Sequence, residues 1–110
     1  MGPLVKGDVV VIPFPFSDLS ATKRRPALVI ATLPGDDVML CQITSQAITH
    51  NLAIAISAQD FADGSLHQSS NVRPERLFTA DSHIIAYRVG SLTPAKMREV
   101  TDAIIRLITA

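Results

Sequence analysis

Two aliphatic runs, Val9-Val10-Val11-Ile12 and Ala27-Leu28-Val29-Ile30, constrain the fold most, because each is too short for a helix and is bounded by Gly or Pro. The first reads as a strand whose capacity for ladder pairing ends at Pro13 and Pro15, so one of its edges is free or bulged. The second opens at Pro26 and runs to Thr32. Between them, Ser17 to Arg24 is polar and without periodicity, the pattern of a flexible loop. Lys23-Arg24-Arg25 therefore falls at the end of a loop and directly before an apolar strand. Guanidinium groups fixed there can hold a phosphate through paired hydrogen bonds, and Pro26 pins the backbone that carries them. This combination points to nucleic acid.

The remainder continues in short elements. Pro34-Gly35-Asp36-Asp37 is turn chemistry, and Val38 to Thr44 forms a third strand, giving a three-strand meander. Asn51 to Ser57 alternates, with Leu52, Ile54 and Ile56 on one side, as a fourth strand does. Ser57 can cap a helical turn, with Asp60 three residues on and Gly64 as a stop. Leu66 to Val72 and Ile84 to Arg88 read as further strands. Thr93 and Pro94 start a helix that places Met97, Val100, Ile104, Leu107 and Ile108 on one face, with Arg98, Glu99, Asp102 and Arg106 turned away. Such a helix is about 22 Å long and should pack across the strands. Residues 1–110 read as a single α+β domain that is mainly β, a closed or half-closed small barrel with one short inserted helix and a C-terminal amphipathic helix.

Composition excludes several chemistries. Ten basic and ten acidic residues cancel, yet residues 1–35 carry four cations against two anions, 36–63 four anions and no cation, and 64–98 five cations against two anions. A surface can thus be locally basic while the total is zero. Cys41 is alone, so no internal disulfide exists, which suits a reducing compartment and hence the cytoplasm. No stretch approaches the ~20 apolar residues of a membrane span, and no signal-peptide pattern opens the chain. His50, His67 and His83 are scattered without metal-ligand spacing, and His50 reads as a surface turn residue rather than a base. The five glycines never cluster into a nucleotide cradle. No metal or cofactor is expected.

The order and spacing of Gly7-Asp8-Val9-Val10-Val11-Ile12-Pro13-Phe14 and Arg25-Pro26-Ala27-Leu28-Val29-Ile30 resemble the opening of the MazF/PemK family of toxin ribonucleases. The likeness extends through Cys41-Gln42-Ile43-Thr44-Ser45, through Ser70-Asn71-Val72-Arg73-Pro74-Glu75-Arg76-Leu77, and through Val89-Gly90-Ser91-Leu92 with the tail behind it. It implies an SH3-like small barrel of the MazF/CcdB type. The implied activity is a toxin's: metal-independent, sequence-specific cleavage of single-stranded mRNA, in which the 2′-hydroxyl attacks the adjacent phosphate and leaves a 2′,3′-cyclic phosphate. The implied partners are a cognate antitoxin and a second copy of the chain.

By the same resemblance Arg25 matches the family's catalytic arginine and Thr44 its active-site threonine. Arg73 and Glu75 match a pair implicated in cleavage in some members; their period-two spacing equally suits a solvent-facing ion pair. Lys23, Arg24 and Arg76 would contact the RNA backbone, and Ser17, Asp18 and Ser20 could read bases. Many members carry an S-E-Q-type loop where this chain has Phe16-Ser17-Asp18-Leu19-Ser20. Two other classes remain open: a catalytically inactive, CcdB-like protein that acts by protein contact, and a small-barrel RNA binder without turnover, which would want more aromatic stacking platforms than this chain has.

Overall fold

A computed structural model describes residues 3–15, 22–45 and 51–110. Its strands are β1 (Asp8–Pro15), β2 (Thr22–Thr32), β3 (Asp37–Thr44), β4 (Ile54–Ile56), β5 (Phe61–Gly64), β6 (Ser70–Asp81) and β7 (Tyr87–Leu92), followed by helix α1 (Pro94–Thr109). Single 3₁₀ turns, Ala58–Asp60 and Ser82–Ile84, precede β5 and β7. The strands form one antiparallel sheet in the order β4-β6-β3-β2-β1-β7-β5, curled into a half-barrel. The expected meander is its β1-β2-β3 centre.

The near-continuous apolar runs follow from burial on both faces of the central strands. Val9, Leu28, Cys41, Ile43 and Val72 pack with Met97, Val100 and Ile104 of α1. The intervening residues Val10, Ile12, Ala27, Val29 and Leu40 pack with Ile85 in a second cluster on the other face. A strand covered on both sides has no polar alternation to display. β4, at the sheet edge, does alternate, with Ala55 exposed between buried Ile54 and Ile56.

Lys23, Arg24 and Arg25 belong to β2, not to a loop: they pair with Phe14, Pro13 and Ile12 of β1. Prolines permit this extension because of the side on which they sit. The carbonyl of Val11 accepts from Ala86 N–H at 2.8 Å, so the polar groups of Val11 face β7. Pro13 and Pro15, two and four residues later, have the same orientation but lie past the end of the β1–β7 ladder at Val11–Tyr87. Their missing N–H groups remove nothing from β1–β2 pairing. That is the free edge the sequence predicts.

Helix α1 starts as expected, with Thr93 Oγ1 accepting from Lys96 N–H at 3.2 Å. Its apolar face is buried at Met97, Val100 and Ile104, but Leu107 and Ile108 are exposed, since the last turn runs on past the buried stretch. Gly64 ends a strand rather than a helix. The capping box of Ser57 and Asp60 forms, with Ser57 N–H donating to Asp60 Oδ2 at 2.9 Å, but only one 3₁₀ turn follows before β5.

β5 is held on β7 by a glycine crossing. Gly64 pairs with Gly90, and a methyl group on Gly90 would enter the van der Waals shell of the Asp63 carbonyl oxygen. The same edge is tied by Arg88, whose Nε donates to buried Asp8 at 3.0 Å and whose Nη2 donates to Asp63 at 2.8 Å. Asp8 also accepts from Val5 N–H at 2.9 Å, so its buried carboxylate is solvated by protein groups on both oxygens. Gly90→Ala is expected to destabilise the fold by about 1–3 kcal/mol through this backbone clash. A chemical-denaturation midpoint no lower than that of the native chain would show that β5 does not depend on the crossing.

Candidate functional site

Arg25 follows the alternation of Ala27 and Val29, which are wholly buried in the core cluster remote from α1. Thr44 follows the alternation of Val38 and Leu40, members of the same cluster. The β2–β3 ladder ends at Ala27–Gln42, and the same register carried two residues beyond that end puts Arg25 level with Thr44. Thr44 in turn pairs with Asn71 on β6. The three residues thus form a row across β2, β3 and β6 on the sheet face away from the helix. At ~4.8 Å between strands the row spans about 10 Å, within reach of one nucleotide's phosphate and ribose. Thr44 is buried, while Arg25 and Asn71 are half-buried.

Arg73 and Glu75 are brought beside this row by a large bulge. Cys41 pairs with Leu77 but Ile43 pairs with Val72, so Arg73, Pro74, Glu75 and Arg76 all lie opposite the single residue Gln42. Proline is admissible in this interior strand because the bulged segment needs no ladder bond from it. The Cys41 thiol donates to the Arg73 carbonyl at 2.7 Å and so satisfies one bulge carbonyl. Arg73 Nε and Nη2 both reach Glu75 Oε2, at 2.9 and 2.8 Å. The pair expected from the sequence therefore exists, but both side chains are about one-fifth exposed, so it is not a loosely solvated surface pair. Glu75 Oε1 and Arg25 Nε are both buried atoms. Arg76 stands further out and donates to Gln42 Oε1 at 3.3 Å.

Cys41 registers this environment electrically. Burial pushes its thiol up to about 12, and the negative charge of Glu75 pushes in the same direction. It stays protonated, so it is a packing group and a hydrogen-bond donor, with no thiolate to act as nucleophile.

Lys23, Arg24 and Arg25 also line a groove of about 310 Å³. Its opposite wall is the segment entering β6, including His67, Gln68 and Ser70, which the sequence marks as part of a strand and not as part of a site. Asn71 and Gln42 were likewise undistinguished in the sequence; only the strand register reveals them. Ser17, Asp18 and Ser20, and with them His50, lie outside the described residues. His83 is exposed and pairs with Asp81 at 2.7 Å, remote from this row in the turn before β7. The backbone N–H and ring of His83 hold the Asp81 carboxyl below its ordinary value. Among the described residues no three His, Cys, Asp or Glu side chains gather as a metal site would require, and no helix is long and apolar enough to cross a membrane.

Comparison with known proteins identifies the architecture. The family model described as the PemK-like, MazF-like toxin of type II toxin–antitoxin systems matches residues 5–108. No curated protein matches the chain. Among solved structures, MazF from Deinococcus radiodurans is similar over 100% of both chains with a TM-score of 0.78 and 19% identity. The MazE–MazF assembly from the same organism is similar over 96% of each chain, with a TM-score of 0.77 and 19% identity. An endoribonuclease in complex with its cognate antitoxin, from a mycobacterial species, is similar over 97% of this chain and 96% of that one, with a TM-score of 0.74 and 19% identity. At these identities the likeness establishes the shared fold.

The thiol provides a test of the buried bulge. Because its folded-state value is raised, its contribution to stability is complete below the ordinary thiol value of 9.0 and is lost as pH rises toward about 12. The native protein at pH 8 should therefore leave Cys41 unreactive toward an aromatic disulfide reagent, and reaction should appear on unfolding in guanidinium. Rapid stoichiometric reaction of the folded chain would contradict this burial.

Proposed function

We propose a function from one fact: the chain belongs to the PemK-like, MazF-like toxin family of type II toxin–antitoxin systems. It is a toxin that cuts single-stranded mRNA in the cytoplasm at short sequence motifs, using no metal ion. The observation that supports this reading most is the levelling of Arg25 with Thr44 on one sheet face, beside the bulge that carries Arg73 and Glu75.

RNA brings its own nucleophile, so the protein has to align the 2′-hydroxyl, take its proton, neutralise the charge that builds on phosphorus and let the 5′ oxygen leave. Thr44, buried and held in the ladder, hydrogen-bonds one non-bridging phosphate oxygen. Arg25 binds the same phosphate with its fork of donors and neutralises the phosphorane-like charge. A guanidinium remains protonated, so the proton of the 2′-hydroxyl goes instead to Glu75. Arg73, bonded to Glu75 Oε2, orients the carboxylate for that role. The new bond joins the 2′ oxygen to phosphorus, and the bond from phosphorus to the 5′ oxygen breaks. The 5′ oxygen leaves as an alcohol after taking a proton from water, the proton held by Glu75 returns to the hydroxide so formed, and Arg25 stays protonated throughout. Lys23, Arg24 and Arg76 hold adjacent phosphates, and Ser17, Asp18 and Ser20 approach the bases.

One of the similar structures is an endoribonuclease with its cognate antitoxin. By analogy this toxin forms a homodimer, and its antitoxin silences it by laying a flexible acidic or apolar segment over the cations of β2, which occupies the phosphate sites directly.

Purified protein incubated with labelled RNA in EDTA should cleave it and leave the all-DNA analogue intact, since DNA lacks the attacking hydroxyl. Arg25→Ala and Thr44→Ala should each reduce the cleavage rate about 10²- to 10³-fold, the range for losing one preorganised donor to a developing oxyanion. No cleavage by the native chain, or cleavage undiminished in both variants, would overturn the mechanism and favour a toxin that acts by protein contact alone.

A further inference from the structure

At the end of the sheet away from Lys23, the second core cluster comes to the surface. Leu4, Val38 and Ile85 of that cluster, with half-buried Leu33 beside them, floor a groove of about 510 Å³ between the β2–β3 hairpin and the 3₁₀ turn before β7. Asp36 and Asp37 stand exposed on its rim, and Asp81, paired across the ladder with Asp37, adds a third carboxylate beside them. None of its lining residues is a lysine or an arginine. The carboxylate-bearing grooves against α1 differ in this respect, since Arg98 stands with Asp102 in one and Arg106 with Glu99 in the other. His83 also lines the groove, its ring held on Asp81 at 2.7 Å.

We infer that this groove docks a basic amphipathic segment of a partner protein, with aliphatic side chains seated on its floor and Lys or Arg residues paired to Asp36, Asp37 and Asp81. Apolar surface rimmed by charge is a feature of protein recognition, and the sign of the rim selects the partner. RNA phosphates and an acidic antitoxin segment are both repelled, because like charges brought together cost free energy that nothing in the groove returns. The spacing of the rim suits a helix. Cations at i and i+4 of a helix lie about 5–6 Å apart, and the Cβ atoms of a cross-strand pair such as Asp37 and Asp81 about 4.5–5.5 Å. This chain does not supply such a segment itself. Among its described residues, exposed aliphatic side chains adjoin a cation at Val5 beside Lys6 and at Ile105 and Leu107 beside Arg106, in each case one positive charge against three carboxylates. Ala27 and Leu28, which follow the β2 cations, are wholly buried.

Backbone bonds hold the rim in place before a partner arrives. Ser82 N–H donates to the Asp36 carbonyl at 2.8 Å, Leu33 N–H to the Asp37 carbonyl at 3.0 Å and Ile85 N–H to the Ser82 carbonyl at 3.1 Å. Gly35, at φ +77°, makes the tight turn that precedes the two aspartates. A site formed in advance loses little conformational entropy on binding. The stretch of β2 from Arg25 to Thr32 puts about 23 Å between this groove and the row of Arg25 and Thr44. A segment bound here leaves that row open, so the groove holds the chain on a partner without silencing it.

The probe is a fluorescein-labelled amphipathic helical peptide, leucine on one face with lysine and arginine flanking it, titrated with the full chain and followed by anisotropy at about 0.15 M salt. It should bind saturably, whereas peptides with serine for leucine, or with glutamate for lysine and arginine, should not. Asp36→Asn/Asp37→Asn should weaken binding about tenfold or more, and Leu33→Ser about three- to tenfold. The paired aspartate change alters only exposed side chains, so it carries the test even if Leu33→Ser fails to fold. Glu99→Gln/Asp102→Asn removes the same charge from the grooves against α1 and should leave the affinity as it is. Arg25→Ala should bind the peptide as the native chain does, which separates the docking result from the fate of the cleavage mechanism. Equal weakening by both paired variants, or equal binding of the serine peptide, would reduce the effect to net charge and overturn the docking site. No saturable binding by the native chain would overturn it too; if that chain then self-associates in sedimentation and Asp36→Asn/Asp37→Asn does not, a second copy is the occupant instead.

Discussion

The antiparallel register of β2 on β3 is the constraint on which the rest of this structure depends. Ala27 faces Gln42, and from that pairing the position of every polar group at the end of the sheet follows. A slip of one residue would send Arg25 to the helix side of the sheet and bury it among Leu28, Ile43 and Val100. The slip is prevented by the aliphatic pairs below the site: Ala27, Val29 and Leu40 are fully buried on one face and Leu28 and Cys41 on the other. Shifting them would unpack both faces together. The chemistry of the proposed site and the stability of the core are thus two outcomes of one pairing.

The bulge in β6 is the second consequence of that frame. Four residues opposite Gln42 would, in a regular strand, be distributed over two faces and two turns of pleat. Bunched together they bring Arg73, Glu75 and Arg76 to one place beside β3. The bulge is anchored from below by the Cys41 thiol and from within by buried Pro74. Cys41 is therefore intelligible as part of the support under the site: a small buried donor directly beneath a carbonyl that has left the ladder.

Much of this was legible in the sequence where local chemistry decides. The Thr93-Pro94 start of α1, the turn at Gly35 and the Ser57–Asp60 box all appear as expected, because caps and turns are written in neighbouring residues. The R-P strand and a third strand ending at Thr44 form as the sequence predicts. What sequence could not supply is long-range. The extension of β2 back through Lys23 requires β1 to continue through two prolines, which depends on where the β7 ladder ends. Of the strand expected from Leu66 to Val72, Ser70 to Val72 form as the start of β6, while Leu66 to Ser69 lie outside the ladder, which begins at the Ile56–Ser70 pair. Asn71 and Gln42 look like ordinary strand residues until the register shows what they stand beside.

The central claim is that Arg25 and Thr44 hold the same phosphate, and a double-mutant cycle on the cleavage rate tests it most directly. Groups that act on one charge as a unit lose most of their effect when either is removed, so Arg25→Ala/Thr44→Ala should be nearly as active as the weaker single variant, within about threefold. Losses that multiply, with the double variant reduced by the product of the two single effects, would mean that the two residues act independently and that no shared phosphate joins them.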